Sequence, residues 1–209
     1  MKTLKIIITF LSVCLLNISC TNDNDGTKEN LPSISTEGKN TFGCRINGEI
    51  FLPKSRGGFS AGYRAPILFG RYYNLVQNYY GQEPGYYLQI NAYNELTNKS
   101  INIELTKSDV ALIEGNTYQI VSKSNGVFDA EYSFSTTAPY PDTNNAFIYT
   151  NHEYKTNNEY IGELKILKID STNLIISGTF TFDSINSVDN KTAEIREGRF
   201  DLKYEPNPN

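Results

Sequence analysis

The sequence predicts an all-β protein: a single antiparallel β-sandwich or partly open β-barrel of about ten strands. Three observations carry that expectation. From residue 41 onward, apolar and polar residues alternate with a period of two. Gly, Asn, Asp and Pro punctuate this pattern at short intervals, as turns require. The alternation buries one face of each strand and leaves the other wet, which is the signature of antiparallel rather than parallel sheet. At 209 residues the chain is long enough for one domain with its own core.

The elements follow in order. Phe42, Cys44 and Ile46 alternate up to Asn47-Gly48, the dipeptide favoured in a two-residue type I′ hairpin, and residues 49–52 return. Leu88, Ile90 and Ala92 alternate with Gln89, Asn91 and Tyr93, and Ile101, Ile103 and Leu105 with Asn102, Glu104 and Thr106. Further strands are predicted at 118–121, 128–134, 146–149, 161–169, 174–182, 192–195 and 200–204. Residues 107–114 are the one candidate for a short helix. With no ungapped repeat and no internal linker, 41–209 is expected to be one domain.

An address precedes it. Met1, Lys2 and Lys5 form a basic start to the apolar run 6–16. As a helix this run reaches about 16 Å, too short to span a bilayer but suited to a secretory signal. Leu16-Asn17-Ile18-Ser19-Cys20 follows, and polar sequence begins at once. This stretch resembles the lipobox of bacterial lipoproteins, with Ser19 as the small residue before the cysteine. Asn17 stands where Leu is usual, with Leu16 one place early. The resemblance implies a signal peptide at 1–19 and lipidation of Cys20, whose two or three acyl chains would anchor the protein to the membrane. The alternative is an ordinary signal peptide with Cys20 a bystander. Residues 21–40 offer only Leu31 and Ile34 as large apolar side chains, so 20–40 reads as the lipidated cysteine and a flexible acidic tether. Its start, Thr21-Asn22-Asp23-Asn24-Asp25, resembles the export signal of Bacteroidota surface lipoproteins. That implies an outer-membrane lipoprotein of the cell envelope, facing the periplasm or the surface.

A second resemblance lies at both ends of the domain. Ser177-Gly178-Thr179-Phe180-Thr181-Phe182 and Gly198-Arg199-Phe200-Asp201, with the opening 41–48, look like a family of uncharacterised Bacteroidota lipoproteins. Its members pair a Gly-Thr-Phe-x-Phe strand with a terminal Gly-x-Phe-Asp strand. The resemblance implies location and fold, and transfers no catalytic residues.

Composition narrows the chemistry. A net charge of −4 without any Lys/Arg run argues against nucleic-acid binding, and loss of Lys2 and Lys5 with the leader deepens that charge by two. One histidine excludes an intramolecular two-His metal site; no metal or cofactor is expected. With Cys14 lost and Cys20 acylated, Cys44 has no disulfide partner and reads as a small buried hydrophobe. His152 reads as an exposed residue of a polar loop, and Gly57-Gly58 lacks the rest of a phosphate loop.

Tyrosine is the outlier. Tyr72, Tyr73, Tyr79, Tyr80, Tyr86, Tyr87 and Tyr93 are seven of the fifteen in the chain. Adjacent pairs on a strand send one ring inward and one outward, and the outward rings offer a stacking platform for a glycan or peptide. Tyrosine also simply favours half-wet strands. Glu104, Glu114, Asp129, Glu131 and Glu163 fall at or near polar strand positions, and spacing assigns none of them as acid or base. Asp170-Ser171-Thr172 and Asp183-Ser184-Ile185 resemble the Asp-Ser/Thr-x sites of O-glycosylation in exported Bacteroidota proteins, which nominates Ser171 and Ser184. The leading expectation is a non-catalytic binding or interaction module for a glycan or protein. The alternatives are a carboxylate-dependent glycoside hydrolase and a purely structural envelope protein.

Overall fold

The chain forms the strands β1 (Thr41–Ile46), β2 (Glu49–Phe51), β3 (Leu68–Leu75), β4 (Gly85–Asn94), β5 (Lys99–Ser108), β6 (Thr117–Val121), β7 (Phe128–Pro139), β8 (Phe147–Lys155), β9 (Gly162–Asp170), β10 (Ile175–Ile185) and β11 (Thr192–Lys203), most of them where alternation is sustained. The structure, a computed structural model, describes residues 29–57, 66–139 and 147–206, and among these there is no helix. The predicted leader, Cys20 and the acidic stretch that follows it lie outside the described residues.

All eleven strands join one mixed sheet in the order β2-β1-β11-β10-β9-β6-β7-β5-β4-β3, with β8 beside β7. Pairing is antiparallel except between β6 and β7, which run parallel through Ile120–Phe128 and Val121–Asp129. The sheet curls until its ends meet. Beyond β11, Glu205 bridges to β3, donating its N–H to the Gly70 carbonyl (2.8 Å) and accepting from the Tyr72 N–H (3.3 Å). Beyond β2, Lys54 exchanges backbone hydrogen bonds with Tyr93 and Glu95 (3.2 and 2.8 Å). Isolated bridges rather than full ladders close the circuit, so the ring is not a regular barrel.

The inward rows form one core: Phe42, Cys44 and Ile46; Leu88, Ile90 and Ala92; Ile101, Ile103 and Leu105; Phe180 and Phe182; Phe200 and Leu202. The predicted first hairpin has the expected geometry, with Asn47 and Gly48 at φ 51° and 87°. The Gly-Thr-Phe-x-Phe and Gly-x-Phe-Asp strands are the β10–β11 pair. Gly178 sits opposite Phe200 and Phe180 opposite Gly198. A Cβ at Gly178 would stand 2.7 Å from the Phe200 ring, and one at Gly198 would stand 2.5 Å from the Phe180 ring. Each glycine makes room for the phenylalanine across from it.

Four expectations change. β3 escapes the alternation because Gly70 interrupts it; the Leu202 side chain occupies the space a Cβ would need (2.9 Å). Residues 107–114 form no helix, since β5 continues to Ser108, and Ser108 then hydrogen-bonds Val110 through both donor and acceptor. The runs 192–195 and 200–204 belong to one strand, broken in register by a bulge where Arg196 and Glu197 oppose Thr181. Residues 29–40, read as tether, lie against the sheet. Asp201, 1% exposed, accepts the N–H groups of Glu37 (3.1 Å), Gly38 (2.8 Å) and Lys39 (3.1 Å). The Asn40 side chain takes the Lys203 N–H (2.8 Å), and Pro32 packs on Gly43. Composition misses this because the partner that offsets the ordering entropy is one buried carboxylate distant in sequence.

Candidate functional site

The β3–β4 hairpin builds the most distinctive surface. Its tip is a two-residue turn: Tyr79 and Gln82 exchange backbone hydrogen bonds (3.1 and 2.9 Å), and Tyr80 and Gly81 are both left-handed at φ 45° and 83°. In-register pairing then sets Tyr73 opposite Tyr87 on the outer face, rings stacked at 5.2 Å and 9°. The Gln82 side chain accepts the Tyr73 hydroxyl (3.3 Å), and Tyr87 donates to the Glu83 carbonyl (2.8 Å). An open depression of about 270 Å³ lies beside the stack, lined by Tyr73, Gln82, Tyr87, Gln89, Glu104 and Lys123.

The seven tyrosines do not form one platform. Tyr73 and Tyr87 line the depression, with Tyr79 and the 93%-exposed Tyr80 at the hairpin tip. Tyr72 and Tyr86 stack on the opposite face at 6.3 Å. There the Tyr72 hydroxyl accepts the Leu112 N–H (3.0 Å) and its ring meets Tyr204 edge-on. Tyr93 stands at the far end of β4, bonded to Asn98 (3.2 Å). The inward/outward rule therefore holds for 72/73 and 86/87, and only the outward members share a site.

Carboxylates extend this face. Register places Glu104 of β5 beside Asp129 of β7, and Asn102 beside Glu131. Glu104 is held by Lys123 (2.8 Å), Asn102 (3.0 Å) and Gln89 (3.2 Å). Burial raises its pKa, but the Asn102 and Lys123 hydrogen bonds outweigh burial and leave it below the usual range. Asp129 has no such support. Burial, against the opposing pull of Lys123, pushes its carboxyl up to about 6, and Glu104 and Glu131 add repulsion. Its Oδ1 and the Oδ1 of Asn102 are buried without a hydrogen-bond partner. Glu131 is also raised, chiefly by burial, although Lys155 is 3.5 Å away. Glu114, which accepts the Ile169 N–H (3.1 Å), and Glu163 on β9 are not part of this group.

Asp129 gives a signed pH prediction. A carboxyl whose folded pKa is raised holds its proton more tightly folded than unfolded, so its contribution favours folding at low pH and is lost as pH rises from about 4 through about 6. Asp129→Asn is therefore expected to raise the urea midpoint at pH 8 and leave it nearly unchanged at pH 4. Equal effects at both pH values would show that the charge carries no strain.

The remaining candidates separate. Cys44 is fully buried and desolvation raises its thiol pKa, which makes it an inert core residue. His152 belongs to β8 rather than a loop; its ring stacks on Phe134 at 4.5 Å and its Nε2 is 3.1 Å from the Thr136 hydroxyl. Ser171 is exposed in the β9–β10 turn, where Asp170 accepts the Thr172 and Asn173 N–H groups. Ser184 is 0% exposed and its hydroxyl points to the Ala193 carbonyl (3.3 Å), so the folded chain does not present it for modification. Among the described residues no group of three or more His, Cys, Asp or Glu is arranged to hold a metal, and no helix is long and apolar enough to cross a membrane.

Sequence reasoning missed Gln89 and Lys123. Gln89 lies on a correctly predicted strand, but its place beside Glu104 depends on the register shift between Tyr86 and Leu88. Lys123 follows β6 and reaches Glu104 because Gly126 bonds back to the Thr106 carbonyl (2.8 Å). Comparison with family models, curated proteins and solved structures returns no match to this chain.

Proposed function

We propose that this chain is a lipid-anchored protein of the cell envelope whose β domain is a non-catalytic binding module, with a glycan as the ligand of the Tyr73–Tyr87 face. The anchoring half rests on the lipobox-like sequence ending at Cys20. The binding half rests on one observation: a stacked tyrosine pair, Tyr73 half-buried and Tyr87 buried, borders an open depression furnished with amide, carboxylate and ammonium groups. A sugar ring presents C–H groups to an aromatic face and hydroxyls to such polar neighbours. Two buried oxygens without partners and a carboxyl held at raised pKa are the strain that binding surfaces retain.

Glycoside hydrolysis is the second reading, because Glu104 and Asp129 have pKa values displaced in opposite directions. Their placement weighs against it. Both leave the same sheet face from adjacent strands, side by side, whereas a hydrolytic pair flanks the scissile bond across a gap. A glycan array probed with the purified protein, followed by incubation with each glycan retained, tests the proposal. Retention without cleavage is expected. Release of shortened glycan would favour the hydrolase, and no retention on any glycan would remove the glycan assignment.

A further inference from the structure

The sheet protects two of its three edges. β2 is only three residues long, and the outer edge of β3 is bridged by Glu205 at Gly70 and Tyr72. β8 is treated differently. It pairs with β7 along its whole length, from Lys155–Glu131 to Phe147–Pro139, with no register shift. Its other edge carries one bridge, Lys155 to Ile185, so among the described residues the backbone from 147 to 154 faces outward without a neighbouring strand. β5 covers β7 only as far as Phe134, and beyond that point β7 and β8 project as a two-stranded ribbon.

Unpaired strand edges template further strands, and proteins blunt them with Lys, Pro, bulges or shortness. From Phe147 to Glu153 this edge has no Lys, Arg, Pro or bulge. Phe147, Ile148 and Tyr149 are 58%, 41% and 73% exposed. Between Glu131 and Glu153 the only Asp, Glu, Lys or Arg is Asp142, in a chain with 20% charged residues. Depletion of charge with enrichment of aromatics is the composition of an interface core. A lone two-stranded ribbon is also marginal in water.

We propose that β8 is the interface through which two copies of this chain associate, edge to edge and antiparallel about a twofold axis. An open edge dictates an extended strand as its occupant. A second β8 supplies that strand with an identical stretch, Phe147 to His152, that contains no Asp, Glu, Lys or Arg, and an isologous pair closes without leaving a new edge. The pairing would extend the sheet from one copy into the other and cover Phe147, Ile148 and Tyr149.

Sedimentation velocity on the purified full chain over a wide concentration range tests this, together with hydrogen exchange of the 147–154 amides. The expected result is a concentration-dependent dimer whose β8 amides are protected at high concentration and exposed on dilution. Thr150→Lys, and separately Phe147→Glu combined with Tyr149→Glu, alter only exposed side chains and bring like charges together at the axis. Each is expected to weaken dimerisation at least tenfold with an unchanged circular dichroism spectrum. Val188→Lys, at a 90%-exposed site in the β10–β11 turn, is expected to leave the dimer intact. A chain that stays monomeric at every concentration overturns the proposal, as does a dimer that survives both charged variants. A chain that is monomeric alone but complexes another protein through β8 gives the edge a different occupant and overturns it as well.

Discussion

Gly178→Ala is expected to destabilise the fold by about 3 kcal/mol, read as a lower urea midpoint with an unchanged slope. Gly178 is not in the left-handed region, so the demand is for space rather than for backbone freedom. The new Cβ would stand 2.4 Å from the Lys165 carbonyl oxygen and 2.7 Å from the Phe200 ring. The carbonyl belongs to the neighbouring strand β9 and cannot swing aside. Phe200 is 2% exposed and packs with Phe180, so its ring has no vacant space to enter. Thr179→Ala, one residue along on the outer face, is the control and is expected to cost less than about 1 kcal/mol. Equal stabilities for Gly178→Ala and the parent would contradict the interlock of glycines and phenylalanines across β10 and β11.

Asp201→Ala is expected to cost about 3 kcal/mol and to free residues 29–40 from the sheet. Three backbone N–H groups converge on this carboxylate, and removing it leaves them without an acceptor at a covered site. Asp201→Asn keeps one acceptor oxygen and should fall between the variant and the parent. Burial raises the Asp201 pKa, but the N–H groups of Lys39 and Gly38 outweigh it and hold the carboxyl below its ordinary value. A depressed folded pKa means that the stabilisation is complete above the unfolded value of about 4 and is lost as pH falls through the folded value. Limited proteolysis reads the local effect: cleavage within 33–39 should be slow in the parent at neutral pH and fast in Asp201→Ala. Equal cleavage rates would show that the carboxylate does not hold this segment.

The strands with clean alternation, such as 88–93 and 101–106, were legible because their side chains have a core on one side and water on the other. β3 was not, because its glycine answers to Leu202, a residue about 130 positions away that no local window contains. The same difference governs the site. Tyr73 and Tyr87 stood out by composition among the seven clustered tyrosines, and period two sent one ring of each adjacent pair outward without saying which. Which other side chains they meet depends on the 73–87 register and on the bulge before Leu88, and both are settled by tertiary pairing. Glu104, Asp129 and Glu131 were visible as polar strand positions, but β5 and β7 must align before they become one acidic row. Asp201 was noticed within its motif, yet its role depends on a segment whose composition suggests no order.

Glycan binding is proposed for the outer face around Tyr73. It is tested most directly by titrating the best-retained array glycan into the parent, Tyr73→Ala and Tyr80→Ala. Loss of one stacking ring is expected to weaken binding about tenfold in Tyr73→Ala, corresponding to about 1.4 kcal/mol. Tyr80→Ala, at the hairpin tip beyond the depression, is expected to match the parent. Unchanged affinity in Tyr73→Ala, with the fold intact, would contradict the account.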